Sequence, residues 1–260
     1  MEVTKHEPGT FCWVELATSD GPAAKKFYTA LFGWSFVDNP IGEGGVYTML
    51  QKNGKDVGAL YQMWPEQKGV PPYWGSYVCV ENANDAAAHA KELGATVRME
   101  PFDVMEHGRM AVIQDPTGAV FSLWQPKSHM GARVVNEPGS FCWNELYTTD
   151  PARAADFYTG LLGWTKDVRH MDFGEYVIFN FGGRMAAGMM KIPKEWGEMP
   201  PNWLVYFAVD DCDGTVSKAT SLGGTVTVPQ MDVENVGRMA ILSDPQGAAF
   251  AVIKLTMPPA

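Results

Sequence analysis

The sequence predicts an α+β fold of four βαβββ modules, two in each half of an internal duplication. Three observations carry that expectation. The segment Glu7-Pro8-Gly9-Thr10-Phe11-Cys12-Trp13-Val14-Glu15-Leu16 returns 130 residues later as Glu137-Pro138-Gly139-Ser140-Phe141-Cys142-Trp143-Asn144-Glu145-Leu146. Trp74, Gly108-Arg109-Met110-Ala111 and Asp115-Pro116 return at an offset of 129 as Trp203, Gly237-Arg238-Met239-Ala240 and Asp244-Pro245. One residue of slippage over so long a repeat means two copies of one domain, not a solenoid of short units. Within each copy, the order of strand, helix and three strands occurs twice.

Each copy opens on a strand. Two-residue alternation places Phe11, Trp13, Glu15 and Ala17 on one face and Cys12, Val14 and Leu16 on the other. Asp20 then reads as a helix N-cap with Pro22 in the first turn, a signal repeated by Asp150-Pro151. This helix carries Ala23, Phe27 and Leu31 on one stripe and stops at Gly33. Strands are expected at 34–37, 46–51 and 57–62. Residues 42–45, with the acidic Glu43 and no lysine, form a hairpin connection rather than a phosphate cradle. After Pro71-Pro72 the order repeats: a strand at 75–80, an alanine-rich helix at 84–93 ended by Gly94, and strands at 96–100, 109–114 and 119–124. The turn Asp115-Pro116-Thr117-Gly118 joins the last two.

Composition narrows the function. The 260 residues carry 20 Lys+Arg against 30 Asp+Glu, a formal charge of −10, and 46% are hydrophobic. That much apolar material builds a core and excludes whole-chain disorder. The acidic balance argues against nucleic acid and anionic membrane surfaces as partners. No apolar run approaches a membrane span and the amino terminus lacks a secretory pattern, so a cytoplasmic location is expected. Cys12, Cys79, Cys142 and Cys212 form no CxxC pair and read as reduced, buried thiols, with Cys12 and Cys142 on the helix side of their strands.

Several landmarks carry a family resemblance. Phe27-Tyr28, Leu31-Phe32-Gly33-Trp34 and the Asp-Pro-x-Gly hairpin recur as Phe157-Tyr158, Leu161-Leu162-Gly163-Trp164 and Asp244-Pro245-Gln246-Gly247. With the paired modules, this set resembles the vicinal-oxygen-chelate superfamily of glyoxalases, bleomycin-resistance proteins and extradiol dioxygenases. It is closest in pattern to the tandem bacterial branch labelled glyoxalase-like or hydroxylase. The resemblance implies strongly curved mixed sheets forming two cups with helices outside. It divides the chain into a first domain at 1–126, a polar linker at 127–136 and a second domain at 137–260, with residues 256–260 as a short tail. Because duplication supplies the domain pairing that single-copy relatives make by dimerising, a monomer or a homodimer is expected.

Family enzymes hold a divalent metal with His, Glu or Gln side chains in the cup. The matching positions here are Trp13 and Trp143, Gly75 and Leu204, Ser122 and Ala251, and a position near Gly58 and Gly188. None but the lone serine offers a lone pair, so no metal and no cofactor is expected. The histidines His6, His89, His107, His129 and His170 are not duplicated and read as scattered, solvent-facing side chains.

Strand phase points Trp13, Glu15, Tyr77 and Trp124 into the first cup and Trp143, Glu145, Tyr147 and Tyr206 into the second. Rings with a few convergent polar groups suit a small-molecule pocket, and methionines such as Met49 and Met110 add adaptable lining. The same rings would also serve as plain core. Glu15 and Glu145 are the candidate acid–base residues, because a carboxylate among rings must be paired, protonated or offered to a ligand. Arg109 and Arg238 are candidate ligand-binding residues and the expected structural partners of these glutamates across the sheet. His107, beside Arg109, is a single-copy candidate proton carrier. The expected function is metal-free binding of a small apolar or aromatic molecule. The alternatives are a lyase, isomerase or hydroxylase-like enzyme using Glu15 or Glu145, and a scaffold with both cups plugged.

Overall fold

The structure, a computed structural model, describes residues 1–42, 44–171 and 174–256. Glu43 of the expected hairpin and residues 257–260 of the expected tail lie outside the described residues. The first copy contains β1 (Phe11–Thr18), α1 (Gly21–Phe32), β2 (Ser35–Ile41), β3 (Gly45–Lys52) and β4 (Lys55–Gln62), then β5 (Tyr73–Cys79), α2 (Ala83–Glu92), β6 (Thr96–Val104), β7 (Gly108–Gln114) and β8 (Val120–Pro126). The second repeats the order as β9 (Phe141–Thr148), α3 (Pro151–Leu162), β10 (Thr165–Met171), β11 (Gly174–Phe181) and β12 (Arg184–Lys191), then β13 (Asn202–Ala208), α4 (Cys212–Ser221), β14 (Thr225–Val233), β15 (Gly237–Ser243) and β16 (Ala249–Leu255). This is the α+β tandem of four βαβββ modules.

Each copy forms one eight-stranded mixed sheet, in the order β2-β3-β4-β1-β5-β8-β7-β6 and its counterpart β10-β11-β12-β9-β13-β16-β15-β14. β1 runs parallel to β4 and antiparallel to β5, which runs parallel to β8. Modules therefore meet at their first strands, and curvature there makes a half-barrel cup. The caps act as read: Asp20 accepts from the Ala23 amide and Asp150 from the Arg153 amide. Gly33 and Gly163 close their helices at φ of 72° and 66°, a left-handed conformation that favours glycine. α1 buries Ala24, Phe27, Tyr28 and Leu31, so Ala24 replaces Ala23 on the expected stripe.

The convex sides of the two sheets share one core. Tyr28, Phe32 and Trp34 around α1 pack on Phe207 and Phe250 of the second copy, while Phe121 and Phe11 of the first pack on Tyr158, Trp164 and Trp203. Rings at these separations add edge-to-face attraction to the burial itself. The placement of Phe11 corrects the simple alternation: a β-bulge between Phe11 and Trp13 turns Phe11 into the shared core while Trp13 stays in the cup. Cys12, Cys79 and Cys212 are buried, and Cys142 is half-buried. Cys142 packs against the second cup's apolar cluster rather than on the expected helix side.

Residues 127–136 are not an exposed polar tether. Ala132, Val134 and Val135 are buried, and the Ala132 amide donates to the Cys12 carbonyl. Among the described residues, no helix is long and apolar enough to cross a membrane.

Candidate functional site: two tyrosine-wrapped glutamates

The cups are built on the same side-chain network, twice. In the first, Glu15 accepts from the Tyr47 hydroxyl at 2.5 Å on Oε2 and from the Tyr77 hydroxyl at 2.9 Å on Oε1. The Trp13 indole Nε1 donates to the Tyr47 hydroxyl at 3.2 Å. In the second, Glu145 accepts from Tyr176 at 2.7 Å and Tyr206 at 3.0 Å, and Trp143 donates to Tyr176 at 3.3 Å. Register explains the repetition. Trp13 stands opposite Tyr77 and Trp143 opposite Tyr206, while Glu15 and Glu145 stand one alternation step further, beside Ala59 and Gly188. The structure places Trp13, Glu15 and Tyr77 in one network and Trp143, Glu145 and Tyr206 in the other.

Tyr47 and Tyr176, on β3 and β11, the second strands from the edge of each sheet, escaped the sequence reading. Their only signal was recurrence at the 129-residue offset.

Burial pushes the Glu15 carboxyl above its ordinary range, and the two tyrosine hydroxyls oppose that shift by bonding to the ionised form. Burial, reinforced by the nearby carboxylate, holds Tyr47, Tyr77, Tyr176 and Tyr206 well above the usual phenol range. These phenols therefore stay protonated and act as donors at neutral pH.

The arginines do something else. Arg109 bonds the Asn84 side chain and the Pro101 carbonyl and pairs with Asp103; Arg238 pairs with Asp213 and Asp232. Cross-strand register explains the correction. Met110 stands opposite the cup residue Trp124, so its neighbour Arg109 points to the opposite face. Among the described residues, no ion pair reaches Glu15 or Glu145.

The two cups differ at their walls. In the first, His129 sets its ring edge-on to Trp13 at 4.7 Å and lies 6.0 Å from Trp124, whose indole donates to the His129 carbonyl. Burial lowers the His129 pKa. His6 is buried too, bonded to the Ala132 carbonyl at 2.7 Å. These two histidines are therefore packing elements rather than solvent-facing side chains. His107 bonds Ser128 at an exposed turn outside the cup. In the second cup, Tyr147 replaces Ala17 and meets the Tyr206 hydroxyl at 3.4 Å. Leu204, Met239, Ile241 and Ile253 complete an apolar cluster, with Ile192 and Met199 at its rim. Trp196 covers Tyr147 at 5.3 Å, and a cleft of about 470 Å³ opens alongside between Thr149, Ile192, Pro193 and Met199.

A metal of the kind the resemblance implies does not fit this donor set. Register moves the uncertain position to Ala59 and Gly188, neither a ligand. At Gly188 a Cβ would stand 2.0 Å from the Tyr176 hydroxyl, so even a short ligand side chain has no room there. Among the described residues, no group of three or more His, Cys, Asp or Glu side chains is arranged to hold a metal ion.

Comparison with known proteins agrees with the fold. The family model described as the Glyoxalase/Bleomycin resistance protein/Dioxygenase superfamily matches residues 10–123 and 129–252. The chain is 44% identical over 254 residues to "Putative glyoxylase CFP32" of Mycobacterium tuberculosis, covering 96% of this chain and 97% of that protein. It is 36% identical over 267 residues to "Anthracycline biosynthesis protein DnrV" of Streptomyces peucetius, covering 97% and 96%. Among solved structures, the Mn(II)-bound glyoxalase from Novosphingobium aromaticivorans superposes with a TM-score of 0.70 at 14% identity, covering 97% of this chain and 84% of that one. At that identity the likeness concerns the fold alone.

Proposed function

The chain belongs to the glyoxalase/bleomycin resistance protein/dioxygenase superfamily, and from that premise we propose that it binds a small apolar or aromatic molecule in its cup without a catalytic metal. The observation that carries this reading is the mirrored Trp–Tyr–Glu–Tyr network, in which each cup's glutamate is bonded to tyrosine hydroxyls. Rings and methionines around one polar focus form the usual chemistry of a small-molecule site. The similarity to a protein named for anthracycline biosynthesis supports a planar aromatic ligand. On this reading the chain works in the cytoplasm on a small molecule, away from nucleic acid and membranes, as a monomer or homodimer. Residues 1–126 and 137–260 are its two domains.

Thermal unfolding with a panel of planar aromatic compounds, together with elemental analysis of chelator-free protein, tests the reading. A concentration-dependent rise in melting temperature with no retained metal is expected. Stoichiometric Zn, Ni, Mn or Fe that survives dialysis overturns the metal-free part, and a flat response to the whole panel overturns binding.

One observation favours a second reading, a lyase, isomerase or hydroxylase-like enzyme. The upward shift of Glu15 by burial moves a carboxyl toward the range used in general acid–base chemistry. On that reading Glu15→Gln or Glu145→Gln abolishes turnover while leaving ligand affinity nearly unchanged. If binding falls with the substitution and no turnover exists to lose, the binding reading stands.

A further inference from the structure

We propose that the second cup receives an organic ammonium, with its cationic nitrogen seated at Glu145 inside the box of Trp143, Tyr147, Tyr176 and Tyr206. This rests on the reading that the protein binds a small molecule, and it names the chemical class and the cup.

The first argument is charge. Glu145 is 6% exposed, and among the described residues no lysine, arginine or histidine pairs with it; Arg238 is engaged by Asp213 and Asp232 on the opposite face. A carboxylate taken out of water without a cation is costly, and a ligand bringing the missing charge recovers that cost on binding. The net charge of −10 draws such ligands toward the protein.

The second argument is an accounting of protons. Tyr176 and Tyr206 donate to Glu145, and the Trp143 N–H is directed to the Tyr176 oxygen. Tyr147 and Tyr206 share a 3.4 Å hydroxyl contact in which either oxygen can donate. The two donors directed at Glu145, Tyr176 and Tyr206, are thereby committed. What remains are carboxylate lone pairs, since each of the two oxygens can accept more than one bond. A ligand carbonyl or carboxylate finds no free donor at Glu145, whereas an N–H⁺ group finds an acceptor.

The third argument chooses the cup. The first cup presents Ala17 where the second presents Tyr147, and its Trp13 indole already carries the His129 ring. Among the described residues, no ring packs against Trp143, which is half-buried rather than buried like Trp13. The second cup's apolar cluster includes Ile192 and packs Met199, which also line a neighbouring cleft together with Lys191, Lys194 and Glu198.

A series of ligands that share one ring and differ in charge tests this on the full chain. At pH 7, 1-naphthylmethylamine (cationic), 1-naphthalenemethanol (neutral) and 1-naphthaleneacetate (anionic) are titrated calorimetrically. The amine is expected to bind about tenfold or more tighter than the alcohol, with the acetate weakest. Glu145→Gln removes the advantage of the amine; Glu15→Gln, which alters only the first cup, keeps it. Equal affinity for amine and alcohol overturns the ammonium assignment while leaving small-molecule binding intact. A preference that survives Glu145→Gln, or disappears only with Glu15→Gln, overturns the choice of residue and cup. Failure of all three to bind overturns the underlying reading as well. Should Glu145→Gln not fold, the wild-type series decides the ammonium assignment and Glu15→Gln decides the cup.

Discussion

Tyr28 and Asp244 stand 216 residues apart in the chain and share a hydrogen bond of 3.0 Å across the two copies; Tyr158 and Asp115 form its mirror at 2.9 Å. Each phenol oxygen also accepts an indole N–H, from Trp74 at 2.9 Å and Trp203 at 2.8 Å. Each aspartate is in turn the first residue of its copy's terminal hairpin. Two motifs that looked like independent landmarks, Phe-Tyr in a helix and Asp-Pro-x-Gly in a turn, are the halves of one reciprocal lock.

Removing the phenol oxygen therefore orphans two buried groups at once. Tyr28→Phe or Tyr158→Phe is expected to cost about 1–3 kcal/mol of stability, because a buried polar group left unpaired loses its full desolvation energy. Urea unfolding of both single variants and the double variant measures this. A change below about 0.5 kcal/mol in either single variant, the ordinary surface range, contradicts the lock.

The elevated Glu15 pKa has a pH signature. The folded state holds its proton more tightly than the unfolded state does, so its contribution is fully present below the ordinary carboxyl value of 4.5 and is lost as pH rises through the raised folded value. Wild type should thus lose stability relative to Glu15→Gln as pH climbs from about 4 toward neutrality. Paired melting curves at several pH values would show a gap of constant size if burial had not shifted the group.

His129 gives the opposite dependence. Burial lowers its pKa, so its stabilising contribution is present above the ordinary histidine value of 6.5 and is lost as pH falls through the folded value. Relative to His129→Gln, wild type should weaken on acidification below about 6.5. Above that pH, the substitution should cost about 0.5–1.5 kcal/mol for the ring contacts on Trp13 and Trp124. The tryptophan emission of the variant should shift to the red as those indoles meet water.

Gly188→Ala tests whether the network needs its close approach. The new methyl would fall 2.0 Å from the Tyr176 hydroxyl and 2.8 Å from the Trp143 nitrogen. Overpacking of this kind costs about 1–3 kcal/mol, and Tyr176 should be displaced from Glu145. Ligand affinity at the second cup should fall with it, whereas the first cup, which has Ala59 at the equivalent place, serves as the internal reference.

The fold was legible because local signals agreed: caps at Asp20 and Asp150, glycine stops at Gly33 and Gly163, and an order of elements written twice. The carboxylates were legible because alternation along one strand needs only local sequence. Partners were harder, since they depend on register between strands. Tyr47 and Tyr176 reach the glutamates from strands whose pairing no local pattern specifies. Arg109 and Arg238 were assigned to the wrong face because their phase is set by Met110 and Met239. The bulge after Phe11 hid in the same way, and His129 reads as solvent-facing because a polar stretch resembles a tether even when one of its rings lies on Trp13.

The shared convex core has a consequence for how the molecule can change. With both sheets standing on one aromatic floor, the two concavities face away from each other, as bowls joined at the base. Substitutions inside one bowl leave the joint untouched, so one copy can surrender its opening to the chain's own imidazole while the other stays free to acquire a guest. The duplication separates the part of the chain that must hold its shape from the part that can be rewritten.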